Sequence, residues 1–247
     1  MRDAGIRRRT CLGGLLVSAA SPASADASNG MLASYYEQHM ALRDGVAHGW
    51  VGRDAPRALR RGVAQVGVGK SAFFMLLADG RLIMLAADGE RTLMPGVARF
   101  VAGDSGWFAI DRAGVLWYGQ GQAAPTRVAN DVADACIGDS ADYFITRDGT
   151  LFVKGLAHRG QYGDGKLNAT PGFVATARDA VAVRAHTGHA IHLTRDGTVM
   201  GTGGNRFGPL SRHGLGDKAD RWGPIFSGAV AIATGSRHSL AIRADGS

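Results

Sequence analysis

Cysteine is almost absent from this chain: Cys11 and Cys136 are the only two in 247 residues. If the first 25 residues are removed in maturation, Cys136 stands alone. No intramolecular disulfide and no multi-thiolate metal centre can then form, and stability must come from a packed core. Proline is also scarce, at 7 residues against 37 glycines, so the glycine excess is not the mixed Pro/Gly composition of a disordered chain. It points to many tight turns. Catalytic signatures are missing as well, with neither a Gly-x-Ser-x-Gly elbow nor a His-Glu-x-x-His element in the sequence. The formal charge of +7 invites a nucleic-acid reading, but Arg2, Arg7, Arg8 and Arg9 against Asp3 place three of those charges in the first 25 residues. The remaining +4 makes no clustered basic face, and no nucleic-acid partner is expected.

The amino terminus does carry a signal. Arg7-Arg8-Arg9-Thr10-Cys11-Leu12 is followed by GGLLVSAASPASADA, a positive segment, a short apolar segment and a small-residue Ala23-Ser24-Ala25 site. Residues 1–25 read as a cleavable signal peptide. The apolar run is too short and too interrupted by Gly and Ser to span a bilayer, so no stable membrane insertion is expected after cleavage. Arg8-Arg9-Thr10-Cys11-Leu12 is similar to a twin-arginine signal with Cys in the usual Phe position. The expected location is exported, periplasmic or extracellular.

From residue 26 the chain is a repeat. The phrase AVAIATGSRHSLAIRADG (229–246) recurs with turn glycines at Gly45, Gly80, Gly114, Gly149, Gly197 and Gly246, spaced 35, 34, 35, 48 and 49 residues apart. Units 45–79, 80–113, 114–148, 149–196 and 197–245 follow. Four residues before each glycine stand Ala41, Leu76, Ile110, Ile145, Leu193 and Ile242; six before stand His39, Phe74, Phe108, Tyr143, Ile191 and Leu240. Equal parity puts both columns on one strand face, the inward one. Eleven before stand Ser34, Gly69, Gly103, Gly138, His186 and Gly235, a small-residue column that implies positive φ or close backbone approach. Doublets such as Val63-Ala64, Val97-Ala98 and Val132-Ala133 open a further strand in each unit. Four short strands per unit cannot bury their own faces, so the units must stack, and four-stranded units repeated radially make a β-propeller.

Arg147-Asp148-Gly149-Thr150-Leu151-Phe152, Gly160-Gln161-Tyr162-Gly163, Gly204-Asn205-Arg206-Phe207-Gly208-Pro209-Leu210 and Gly235-Ser236-Arg237-His238-Ser239-Leu240 resemble the repeat signature of the regulator of chromosome condensation family. The resemblance covers residues 30 to 247 and implies a seven-bladed propeller. The first three repeats lack the Gly-Gln-Leu-Gly loop, and His186 replaces a family glycine. Five to six repeats are present, an all-β fold read here as an incomplete seven-bladed ring. Core-strand segments occur six times and outer segments five, so the chain is expected to be truncated at its C-terminus. Similarly short repeats in a secreted bacterial β-lactamase inhibitor of the same fold imply that exported members can be protein-binding rings.

The long repeats carry inserted loops, 155–172 and 203–224, placed alike within the unit, and such insertions build binding faces. Arg159, Tyr162, Arg206, Phe207, Arg212, His213 and Trp222 are the candidate partner-binding residues; the alternative for Tyr162, Phe207 and Trp222 is packing of their own loops. No catalytic, cofactor-binding or metal-binding residue is expected. His186, His189 and His192 alternate between strand faces, and the repeated Asp residues (Asp44, Asp79, Asp148, Asp196, Asp245) are turn formers. The phosphate-loop likeness at 64–71 runs into a strand, not a helix, and Gly69 is the repeat glycine. The expected function is non-enzymatic binding of a protein or surface partner. Two alternatives remain: nucleotide exchange on a small GTPase, implied by the resemblance, and an enzyme with a channel site not visible in sequence.

Overall fold

The computed structural model describes residues 31–247 apart from 122 and 211–215; the expected signal peptide lies outside the described residues. Those residues form strands and turns with no helix. The first blade contains β1 (Leu32–Tyr35), β2 (Gln38–Arg43), β3 (Val46–Val51) and β4 (Arg57–Arg61), and the second β5 (Val63–Val68), β6 (Phe73–Leu77), β7 (Leu82–Ala86) and β8 (Gly89–Met94). The third contains β9 (Val97–Ala102), β10 (Trp107–Asp111), β11 (Leu116–Gly119) and β12 (Thr126–Ala129), and the fourth β13 (Val132–Ile137), β14 (Ala141–Thr146), β15 (Leu151–Gly155) and β16 (Val174–Ala177). The fifth contains β17 (Ala180–His186), β18 (His189–Thr194), β19 (Val199–Gly204) and β20 (Lys218–Phe226). A sixth unit is the pair β21 (Ala229–Thr234) and β22 (Ser239–Arg243). Each sheet is antiparallel in chain order, and the first strands of successive sheets contact one another at the centre. This is the four-stranded propeller blade the repeat implied.

The apolar columns explain the stacking. Residues of β6, β10, β14 and β18 are buried on both faces, and the buried side chains fall into five clusters, one at each junction between successive blades. Phe74 and Leu76, for example, pack with Val97, Phe100 and Trp107 of the next blade. Burial of one such side chain contributes roughly 1.5–3 kcal/mol, so each junction is a small core of its own.

Hydrogen bonds fasten the same junctions. The N–H opening each inner strand donates to the carbonyl of the preceding turn glycine: Val63 to Gly45 (3.0 Å), Val97 to Gly80 (2.9 Å), Val132 to Gly114 (2.9 Å), Ala180 to Gly149 (3.0 Å) and Ala229 to Gly197 (2.9 Å). Gly149 shows why glycine recurs there. Its φ is +88°, and a Cβ would lie 3.2 Å from Asp179 Cα in the link to the next blade. Deeper in the ring, side chains stand in for missing strand partners. Gln65 Nε2 donates to Phe100 O (2.7 Å) while Oε1 accepts from Phe100 N (3.2 Å), and Asp134 Oδ2 accepts from Val183 N (2.9 Å).

Two sequence expectations change, and a third narrows to one of its two readings. In the first repeat the inward column is shifted by one: Met40, not His39, is buried at 1% exposure, and His39 instead stacks on Trp50. The cause is the turn. Asp44 and Gly45, both at positive φ, form a two-residue hairpin between Arg43 and Val46, whereas Leu77–Arg81 makes a longer turn in the second repeat. One residue fewer reverses the parity of everything counted back from the glycine. In the last repeat Leu240 is 58% exposed and Ile242 only partly buried, because no described sheet packs over that face of β22. Finally, Gly69, Gly103, Gly138 and Gly235 are not at positive φ. They answer to close approach: a Cβ on Gly103 would lie 2.6 Å from Ile137 Cγ2 of the next blade, and one on Gly138 would lie 2.6 Å from Ala141 O. The blades also run out of phase with the sequence units, each unit taking the last two strands of one blade and the first two of the next.

Candidate functional site

The ring has two differently built faces. One carries the Asp-Gly turns. Asp79, Asp148, Asp196 and Asp245 each accept a backbone N–H from two residues on, at 2.9 to 3.1 Å. For Asp79 and Asp245 that backbone bond is the main cause holding the carboxyl below its ordinary range, and for Asp148 and Asp196 the Thr146 and Thr194 hydroxyls are the main cause. The opposite face carries the turns between first and second strands together with the two inserted loops.

The inserted loops interlock. Tyr143 Oη donates to Gln161 O (2.9 Å), Gln161 Oε1 accepts from Arg159 N (2.8 Å), and Thr202 Oγ1 donates to Gly160 O (2.8 Å). Gly165 N donates to Asp220 O and Trp222 N to Gly163 O, which zips the loop of the fourth blade onto β20 of the fifth. Gly160 has φ +86°, and a Cβ there would meet Ala219 O at 2.3 Å. In the second loop Asn205 is the brace. Its Oδ1 accepts from Leu210 N (3.2 Å) and its Nδ2 donates to Gly216 O (3.3 Å), while Leu210 is buried in the core below.

Tyr162 is buried inside this arrangement and is not on the surface. At 1% exposure it donates through Oη to Gly155 O (3.1 Å) and accepts from Thr170 N (3.1 Å), so its role is to hold its own loop. Trp222 is only partly exposed. Its ring lies against Gly163 and, centroid to centroid, 4.5 Å from His192. Burial keeps His192 and His189 neutral, with values lowered to about 4. Arg212 and His213 lie outside the described residues. Arg159, Arg206 and Phe207 remain on the surface.

Those three come together with one residue the sequence reading did not select. Phe207 is 59% exposed, with the Arg237 guanidinium 4.2 Å and that of Arg206 5.8 Å from its ring centroid. Arg159 runs along Gly188 and reaches within 3.6 Å of where a Cβ on Gly204 would stand, at the base of the same loop. Among the described residues no carboxylate lies within ion-pair distance of Arg159, Arg206 or Arg237. Arg237 sits inside the repeat phrase itself, which is why counting insertions missed it.

Beside this patch the channel mouth is polar. Thr187 Oγ1 donates to Asp139 Oδ2 (3.2 Å) and lies 3.4 Å from Ser236 Oγ, His186 Nδ1 lies 3.5 Å from Asp139 Oδ2, and Lys70 pairs with Asp104 at 3.5 Å. Tyr35 stands with them, its phenol raised by burial and by the charges of Asp139 and Asp104. Cys136 is buried, its thiol pushed up to about 12 by burial, and it accepts from Ala185 N. It is a packed group, not a nucleophile.

No family model and no curated protein matches the chain. Solved structures do. Yeast RCC1 (Prp20), in a crystal structure with Kap60, superposes with a TM-score of 0.73 at 14% identity, over 85% of this chain and 65% of that one. Prp20p from Saccharomyces cerevisiae, in a structure reported with its binding to Gsp1p and histones, gives 0.69 at 16% identity over 87% and 69%. Human WBSCR16 gives 0.66 at 14% over 78% and 63%. The chain thus spans about two thirds of the length of these neighbours, and likeness at this identity is one of fold.

Proposed function

We propose that this RCC1-type β-propeller is an exported, non-enzymatic binding module that captures a protein partner through its inserted-loop face, with Phe207, Arg206, Arg237 and Arg159 as the contact residues. The observation that carries this reading is the exposed Phe207 ring with two guanidinium groups against it, 4.2 and 5.8 Å from its centroid, that no described carboxylate neutralises. A large aromatic flanked by arginine on a rigid support is the composition of interface hot spots. Rigidity comes from Asn205 and Leu210 beneath the loop, so little conformational entropy is lost on docking. The structural neighbour Prp20 has been crystallised with Kap60 and studied for binding to Gsp1p and histones, which supports a protein partner as the kind of ligand this scaffold takes. Export rests on the pattern of residues 7–25.

The experiment is crosslinked capture from the native host with wild type and the double variant Arg206→Ala/Phe207→Ala. We expect the double variant to lose the partner while melting at the wild-type temperature, since both side chains are exposed. Equal capture by the variant removes the loop face from the reading. Export is checked separately by the intact mass of the product in periplasmic or culture fractions, where loss of residues 1–25 is expected.

A further inference from the structure

On the opposite face, the turn face, the structure holds a second feature. Five of the six inner strands carry a β-bulge at their second residue, and these residues are Ala64, Ala98, Ala133, Val181 and Val230. Where the bulged residue is alanine, in the second, third and fourth blades, the wall of the channel is hollowed into a cavity of about 580 Å³. Its lining is mixed: Leu76, Val101, Phe108 and Ile110 give it an apolar side, Gln65, Arg99 and Asp134 a polar one, and Arg112 and Arg147 line it from the turns. Deeper, Arg99 lies 3.4 Å from the buried Asp134, which also pairs with Arg184 at 2.8 Å.

The rim is built rather than incidental. Arg112 Nη2 lies 3.0 Å from where a Cβ on Gly80 would stand, and Arg147 Nη2 lies 2.9 Å from the same point on Gly114. Each guanidinium thus rests on the preceding blade's turn glycine, where a side chain would displace it. Of the carboxylates near the rim, Asp111 is occupied by its own turn, accepting from Ala113 N and Val115 N at 2.9 Å and from Trp117 Nε1 at 3.0 Å. Arg147 meets Asp131 at 3.4 Å, but both are well exposed, and such pairs hold weakly.

We infer that this cavity is a binding site for a small anion carried on an apolar body, its charge between Arg112 and Arg147 and its apolar part against Leu76, Phe108 and Ile110. The volume is that of ordinary ligand pockets, and paired guanidinium groups suit carboxylate, sulfonate or phosphate oxygens. The site is separate from the loop face and independent of the partner proposed there.

The probe is 8-anilinonaphthalene-1-sulfonate, titrated against the folded protein by fluorescence. Saturable one-to-one binding is expected, with the uncharged N-phenyl-1-naphthylamine binding at least about 10-fold more weakly. Arg112→Gln/Arg147→Gln is expected to weaken the sulfonate at least about 10-fold. Ala98→Val/Ala133→Val is expected to weaken binding by narrowing the cavity, and the chain itself carries valine at the equivalent Val181 and Val230, so this variant keeps the fold. Phe207→Ala is expected to bind like wild type. Circular dichroism and melting temperature confirm that each variant is folded. Absence of binding, undiminished binding in either double variant, equal binding of the uncharged probe, or loss in Phe207→Ala overturns the inference.

Discussion

Acidification should weaken this propeller through His192, and the size of the effect follows from its surroundings. The ring is 2% exposed, lies edge to face with Trp222, and is held neutral by burial at a value of about 4 against 6.5 for an unfolded chain. The unfolded state therefore binds the extra proton between pH 6.5 and about 4, so stability is full above pH 6.5 and falls as pH drops through that window. Linkage over those two values gives about 2 kcal/mol lost by pH 5. His189, lowered to about 4 mainly by burial, acts in the same direction. Asp142 acts in the opposite one: burial raises its carboxyl to about 6, so protonation on acidification favours the fold and offsets part of the loss. His192→Phe isolates one contribution while keeping a ring against Trp222. Urea unfolding of both proteins at pH 7.5, 6.5, 5.5 and 5.0 should show the variant gaining about 2 kcal/mol on wild type between the extremes. Parallel pH profiles would refute the claim that His192 is buried in its neutral form.

Three further outcomes follow from the junctions. Gly149→Ala should cost about 2 kcal/mol, from positive φ and contact with Asp179, whereas Gly172→Ala, with open space around it, should stay within about 0.5 kcal/mol; chemical denaturation compares them. Gln65→Ala should cost about 1–3 kcal/mol by leaving the Phe100 peptide groups without their partner, seen also as faster amide exchange at Phe100. Tyr162→Phe should cost about 1 kcal/mol through its lost bond to Gly155 O and leave partner capture intact, the contrast with Phe207→Ala being read in the same pull-down.

The propeller was legible in the sequence because its determinants are local and repeated: a turn glycine six times over, preceded by Asp in five of the six, a parity-locked apolar pair, and a strand-opening doublet five times. Legibility failed where a single residue changes the count. The two-residue turn at Asp44-Gly45 is written with the same letters as the longer turns, yet it shifts His39 out of the core and Met40 into it. For the loops, composition selected Phe207 and Arg206 together with Tyr162 and could not tell the exposed pair from the buried residue, whose hydroxyl is satisfied by Gly155 and Thr170 inside the loop. Arg237 was hidden for another reason: its contact with Phe207 joins a repeat turn to an insertion from the preceding blade, a pairing no sequence spacing encodes. The cavity likewise depends on three small bulge residues that are neighbours only in the ring.

The five separate cores bear on how the molecule comes apart. Because each lies between two blades and none is shared by all, the fold behaves as a row of couplings in which every link is strained or relieved by its immediate neighbours alone. Damage at one junction, such as Gly149→Ala between the fourth and fifth blades, then divides the row instead of loosening it evenly. Hydrogen exchange in that variant should report two blocks of amides opening at different free energies where wild type opens more nearly as one.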